Sequence, residues 1–271
     1  EEFHMRTIKK VASHIFIDGF GGMTQGLFAT LIIGTMIQQI GLLIGGSTGN
    51  VIYLLGKAAA ALTSAGIGVG VAVKYGESPL VTVSAAVAAM VGGYAGKITG
   101  GTFFMDGNAV LAGPGEPLGA FIAAFAGITC GHLVSGKTKV DIIVTPVITI
   151  GAGSVVGLLV GPPISQMMTG LGSIINWATE QRPFIMGIVV SVVMGMVLTL
   201  PISSAALGII LNLSGLAAGA ATIGCCCNMV GFAVASYREN KFGGLVAQGL
   251  GTSMLQVPNI MRHPLIWLPV I

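Results

Sequence analysis

The sequence predicts an all-α, polytopic membrane protein with broken helices and an inverted internal repeat whose second copy is incomplete. Three observations carry that prediction. Of 271 residues, 54% are hydrophobic and 8% charged, against ~25% charged in an ordinary soluble domain, and the mean hydropathy is +0.92. The apolar residues fall in continuous runs near the ~20 residues that an α-helix needs to cross a bilayer, whereas a transmembrane barrel would show alternating segments of ~10. Finally, 43 glycines with only 6% aromatics suit helices whose backbones approach closely, because lipid gives apolar faces little other reason to pair.

The chain opens with Glu1-Glu2-Phe3-His4-Met5, which reads as a cloning scar before a start methionine. Arg6 to His14 is basic and amphipathic, an interfacial lead-in at the cytoplasmic face. Segment one runs from about Gly21 to Ile44, with the polar pair Gln38-Gln39 interrupting it, and a neutral loop, Gly45 to Asn50, follows. Segment two spans Val51 to Val73, where Lys57 is near enough to an end to snorkel, and Lys74 and Glu77 close it. Segment three is Pro79 to Tyr94.

Residues 100 to 117, GGTFFMDGNAVLAGPGEP, combine Gly, Pro and short polar side chains and cannot form a lipid-facing helix. Segment four follows at Leu118 to Val134 and segment five at Val140 to Val160, kinked by Thr145-Pro146 and ended by Gly161-Pro162-Pro163. Ser165 to Arg182 is less apolar and carries Trp177, as an interfacial helix does. Segment six, Phe184 to Leu211, is broken within Leu198-Thr199-Leu200-Pro201-Ile202-Ser203-Ser204, since proline has no N–H and a break in hydrocarbon persists only beside protein or a water-filled cavity. Segment seven covers Leu213 to Ser236, and a Gly-rich run leads to Val257.

An ungapped offset of 161 positions lays Gly26 and Gly34 over Gly187 and Gly195, Thr30 over Ser191, and Gly70-Val71-Ala72-Val73 over Gly231-Phe232-Ala233-Val234. This divides the chain into a scar (1–5), a first repeat with about five crossings and an interfacial helix (6–182), and a second, incomplete repeat (183–271) that stops before any counterpart of Gly113 to Pro117. Five crossings invert the second copy. With the N-terminus cytoplasmic, Lys9-Lys10, Lys74 and Lys137-Lys139 follow the positive-inside tendency, while Arg238 and Lys241 oppose it. The same offset sets Thr199, Leu200 and Pro201 over Gln38, Gln39 and Ile40, which places a site between two paired interruptions with Glu116 as the nearest acid.

Several classes are excluded. The 12 Lys and Arg against 9 Asp and Glu give a net charge of +3, scattered at segment ends, so no basic stripe for nucleic acid exists. Cys130 and the triplet Cys225-Cys226-Cys227 lack CxxC spacing, and His132 has no carboxylate or second His at i+3 or i+4, so no metal site is expected. No P-loop, dinucleotide fingerprint or nucleophile elbow is present, and no cofactor or self-contained catalytic motif is expected.

The runs GLFATLIIGTMIQQIG, GPGEPLGAF, VSGKTKVDIIVTP, GPPISQMMTGLGSIINWAT, MGMVLTLPISSAAL and GLGTSMLQVPNI resemble the membrane component of sugar phosphotransferase systems, enzyme IIC type, in the branch that includes perfringolysin-regulator-like membrane proteins. The likeness covers nearly the whole chain after the scar. It implies a carrier in the bacterial inner membrane that binds a sugar near the midplane, receives phosphorylation from separate IIA and IIB proteins, releases the phosphosugar to the cytoplasm, and forms a homodimer among membrane lipids. No IIA or IIB domain is fused here. The alternative is a transport-inactive sensor or regulator that binds a small molecule or lipid on the same fold.

Candidate solute-binding residues follow from their settings. Glu116 sits in a rigid turn near the membrane, where a carboxylate ordinarily faces a cavity; it could accept a sugar hydroxyl or act as base for phosphoryl attack. Asp106 and Asn108 share a Gly-flanked turn. Ser203 and Ser204 after Pro201 could offer hydroxyls to a ligand, alongside Thr199. Gln38, Gln39 and Asn228 are amides in apolar context, where interhelical hydrogen bonding competes with solute binding; Gln248 and Gln256 belong to the same class.

Overall fold

The computed structural model describes residues 18–105, 108–111, 113–199, 213 and 215–270, with backbone alone for 105, 168–169, 171–176 and 178–180. They are arranged in two compact units, Glu1–Ile164 and Ser165–Ile271. Among the described residues the fold is all-α apart from one hairpin of two-residue strands, Phe104–Met105 with Asn108–Ala109. Among the described residues, four helices are long and apolar enough to cross a bilayer, and one bent pair makes a fifth span.

In the first unit, α1 (Phe20–Ile44) is the first of these. Its partner is a broken span, α2 (Gly46–Ala61) and α3 (Thr63–Lys74), bent by 53° at Leu62. The two run antiparallel along their whole length, backbone against backbone. A Cβ on Gly22 would sit 2.6 Å from Gly70 O, one on Gly34 2.8 Å from Gly56 O, and one on Gly41 2.6 Å from Gly49 O. The bend at Leu62 is matched within α1 by a π-helical turn over Phe28–Ile32, with Thr30 facing Gly66 just past the bend. Close contact of this kind is what the glycine content implies, since dispersion is the main attraction left between helices in lipid.

Pro at the first turn and a Ser78 cap start α4 (Pro79–Gly93). At 15 residues it rises ~22 Å, short of the hydrocarbon thickness. After α5 (Ala95–Thr99) and the hairpin, α6 (Pro117–Val134) packs on α4 so that a Cβ on Gly119 would lie 2.7 Å from Gly92 O. The first part of α7 (Asp141–Gln181) continues the layer, with Gly153 approaching Ala123 O and Gly157 approaching Gly92. Tyr94, Met23, Leu27, Ile67, Val71 and Val81 are fully buried, while Leu43, 87% exposed, and others like it face outward, as a surface solvated by lipid requires.

Three expectations need correction. Gly161-Pro162-Pro163 does not end segment five, because α7 passes through Pro146, Pro162 and Pro163 to Gln181 and absorbs the interfacial helix. Each proline removes one N–H, whereas stopping the helix in an apolar setting would strand a whole turn of backbone groups. Gln38-Gln39 does not interrupt segment one, since Ile33–Ile44 is continuous α-helix; glutamine keeps its N–H and is a good helix former. The loop expected at 45–50 is only a corner with positive φ at Gly45 and Gly46, and α2 already begins at Gly46.

In the second unit, α8 (Pro183–Thr199) pairs with α9 (Gly215–Ala235) around Val190, Met194 and Ala221. Ser191 Oγ donates to Ala220 O at 2.7 Å, a cross-helix bond that removes a hydroxyl from apolar surroundings. Next comes α10 (Tyr237–Val246), kinked at Lys241, whose φ is +52°. Short turns lead to α11 (Val257–Arg262) and the 3-10 stretch Pro264–Val270, packed around Phe232, Ile260 and Val270. The break expected at Pro201 lies outside the described residues.

Candidate functional site

Glu116 is the residue just before α6, with extended backbone (φ −89°, ψ 111°). Pro117 at the first helical position forces that geometry, since the residue before proline avoids the helical region. The approach is a turn in which Gly113 (φ +81°) and Gly115 (φ +75°) both adopt left-handed backbone, conformations that a side chain would strain. This is the rigidity expected of Gly113-Pro114-Gly115-Glu116-Pro117.

Residues that sequence reasoning passed over hold the turn in place. Ser64 of α3 donates to Pro114 O at 3.0 Å. The Tyr94 hydroxyl bonds Gly113 O and has Ala61 O 3.3 Å away. The Glu116 N–H donates to Gly93 O at 2.7 Å. Gly115 lies so near Ser64 that a Cβ would come within 2.5 Å of its Oγ. The turn is thus clamped between the start of α3 and the end of α4. No local signal could have found Ser64 or Tyr94, because their partners are 50 and 19 positions away.

One oxygen of the carboxyl has no such partner. Glu116 Oε1 is buried and accepts no hydrogen bond. Burial pushes the carboxyl above the usual carboxylate range, offset in part by the Leu118 N–H, which falls short of a capping bond. A buried, unpaired acceptor costs about 1–3 kcal/mol. Asn108 stands in the exposed hairpin of the same connection. Asp106 lies outside the described residues, as do Ser203 and Ser204.

The remaining candidates are distributed. Gln38 packs on α2, where a Cβ on Gly56 would be 2.9 Å from its Cγ, and Gln39 is exposed. In the second unit Thr199 is fully buried; its hydroxyl donates to Met196 O at 2.6 Å and accepts the Trp267 indole N–H at 3.0 Å. Asn228 is 2% exposed with Oδ1 unpartnered, and it lines a largely apolar groove of about 560 Å³ between α8 and α9, together with Gly187, Gly195 and Gly224.

His132 has the acid partner that helical spacing did not offer, Glu77 on the α3–α4 turn, with Nδ1 to Oε1 at 2.9 Å. Among the described residues no three His, Cys, Asp or Glu side chains converge to hold a metal ion.

The model of a family described as "Phosphotransferase system, EIIC" matches residues 17–271. No curated protein and no solved structure matches the chain with significance.

Proposed function

Since the chain belongs to the phosphotransferase system EIIC family, a family of multi-pass sugar-transport membrane components, we propose that it binds a neutral sugar at Glu116 and carries it by alternating access. The observation that carries the proposal is the buried Glu116 Oε1 with no hydrogen-bond partner at the end of a clamped turn. A sugar hydroxyl donated to that oxygen satisfies it, and the rigid turn means that little order is lost on binding.

Phosphorylation would come from a separate IIB protein, itself charged by IIA. As phosphoryl passes from IIB to the bound hydroxyl oxygen, Glu116 would take the hydroxyl proton. A carboxyl held above its usual range is better matched to that exchange near neutral pH. The two repeats, inverted relative to one another in the bacterial cell membrane with a cytoplasmic N-terminus, supply the moving halves. The carrier is proposed to be a homodimer.

The test is uptake of labelled glucose into proteoliposomes holding the complete chain, with and without IIB. Glu116→Gln should weaken sugar binding at least tenfold without lowering the thermal midpoint; equal affinity would remove Glu116 from the site.

One observation favours a second reading, a transport-inactive sensor. The apolar groove between α8 and α9, with Asn228 Oδ1 unpaired on its wall, fits an acyl chain with a polar head better than a sugar. Binding of an amphiphile without uptake of any sugar, IIB included, would select it.

A further inference from the structure

We infer that the second unit carries a pocket of its own for a neutral, polyhydroxylated solute, built on a chain of side-chain amides; this rests on the proposed function only for the class of solute. Asn259 Nδ2 donates to Gln256 Oε1 at 2.8 Å, Gln256 Nε2 to Gln248 Oε1 at 3.0 Å, and Gln248 Nε2 to Ser236 Oγ at 3.0 Å. Gln248 and Gln256 are 3% and 6% exposed. Sequence reasoning takes such amides as interhelical glue, and they do join the end of α9 to α11.

The chain also has a direction. Every amide donates toward Ser236, so each bond polarises the next. Both ends open into one pocket of about 460 Å³, lined by Ser236, Gln256 and Asn259. The pocket therefore meets both end residues of the chain, Asn259 and Ser236. Glu239 and Asn240 in the first turn of α10 and His263 just past α11 add a carboxylate, an amide and an imidazole to the lining.

The lining selects a chemistry. The lining mixes donors and acceptors from Ser236, Asn240, Gln256 and Asn259, which suits hydroxyls, because each hydroxyl gives one hydrogen bond and accepts others. Phe232, Ile266 and Pro269 form an apolar wall against which the C–H face of a sugar ring can lie. An anion is disfavoured, since Glu239 lines the pocket and no Lys or Arg does. The volume suits a ligand of one or two hexose rings.

The experiment measures binding of labelled glucose, mannitol and maltose to the complete chain in nanodiscs, with inorganic phosphate as competitor. His263 is exposed and outside the amide chain, so His263→Ala should leave the thermal midpoint in place, whereas Asn259→Leu also strands Gln256 Oε1 and should lower it. The expected result is at least a tenfold loss of affinity for one of these polyols in both variants, with no competition by phosphate. Affinity within twofold of wild type in both variants, or displacement by phosphate, overturns the pocket. Glu116→Gln in the same assay separates the two claims. Loss there with normal pocket variants leaves the sugar reading standing and removes this pocket. No binding of any of the three polyols to the wild-type chain overturns both.

Discussion

The Ser64 hydroxyl donates to the carbonyl of Pro114 at 3.0 Å across 50 positions of sequence, so a membrane helix grips the turn that presents Glu116. Ser64 is fully buried, and losing the bond leaves a carbonyl partly unsatisfied. Ser64→Ala should cost about 1 kcal/mol. Gly115→Val should cost more, about 2 kcal/mol or above, because it forces a β-branched residue into left-handed backbone and pushes on Ser64. Unfolding in detergent gives the order, and a milder effect at Gly115 would detach the turn from α3.

Glu116 sets a pH dependence. Its folded carboxyl is raised by burial above the ordinary 4.5, so the native state binds its proton more tightly than the unfolded chain. The resulting stabilisation is complete below about 4.5 and is lost as pH rises through the higher folded value. Glu116→Gln has no such term. The two proteins should melt together in acid, and the wild type should fall below the variant as pH rises; parallel curves would show a carboxyl in free contact with water.

The buried hydroxyl of Thr199 and the Trp267 indole form a pair at 3.0 Å. Thr199→Val keeps the volume but strands the indole N–H, for a loss of about 1–3 kcal/mol. Combined with Trp267→Phe, the double variant should be less destabilised than the sum of the singles by about 1 kcal/mol. Strict additivity would mean that the bond contributes nothing to holding the chain's last described turns on α8.

Glycines divide sharply by what faces them. A Cβ at Gly119 would come 2.7 Å from Gly92 O, whereas nothing lies within 4 Å of one at Gly151. Gly119→Val should sharply reduce folded yield in detergent. Gly151→Ala, on an exposed face of α7, should stabilise by about 0.5–1 kcal/mol through helix propensity. Similar midpoints for the two would contradict the backbone contact between α4 and α6.

The class of fold was legible because it depends on composition and run length. The stiffness of the turn before α6 was legible too, from Gly113, Pro114, Gly115 and Pro117, since local residues determine φ. What holds that turn was not, because Ser64 and Tyr94 are ordinary in their own neighbourhoods and act across the fold. Pro162-Pro163 misled, as the cost of ending a helix in an apolar setting outweighs the loss of two N–H groups. The bend at Leu62 has no proline to announce it; Thr63, whose hydroxyl donates back to Ala60 O at 2.6 Å, and Ser64 stand beside it, but hydroxyls of this kind also occur in unbent membrane helices. Asn259, Gln256 and Glu239 line one pocket, with positive φ between them at Lys241, a non-glycine residue that periodicity does not flag.

The π turn at Phe28–Ile32 lies level with that bend at Leu62. A π turn holds one residue more than the α-helix it replaces, and each residue advances the helix by ~100°. It therefore resets the phase of α1 at mid-length, so that the Gly22–Gly26 stripe meets α3 and the Gly34–Gly41 stripe meets α2, although the partner changes direction between them. Length and phase are separately constrained there. Removing any single residue from 28–32 would leave a perfectly good apolar helix, yet rotate the Gly34–Gly41 stripe off its partner, so the hairpin tolerates substitution within that turn far better than a change in its residue count.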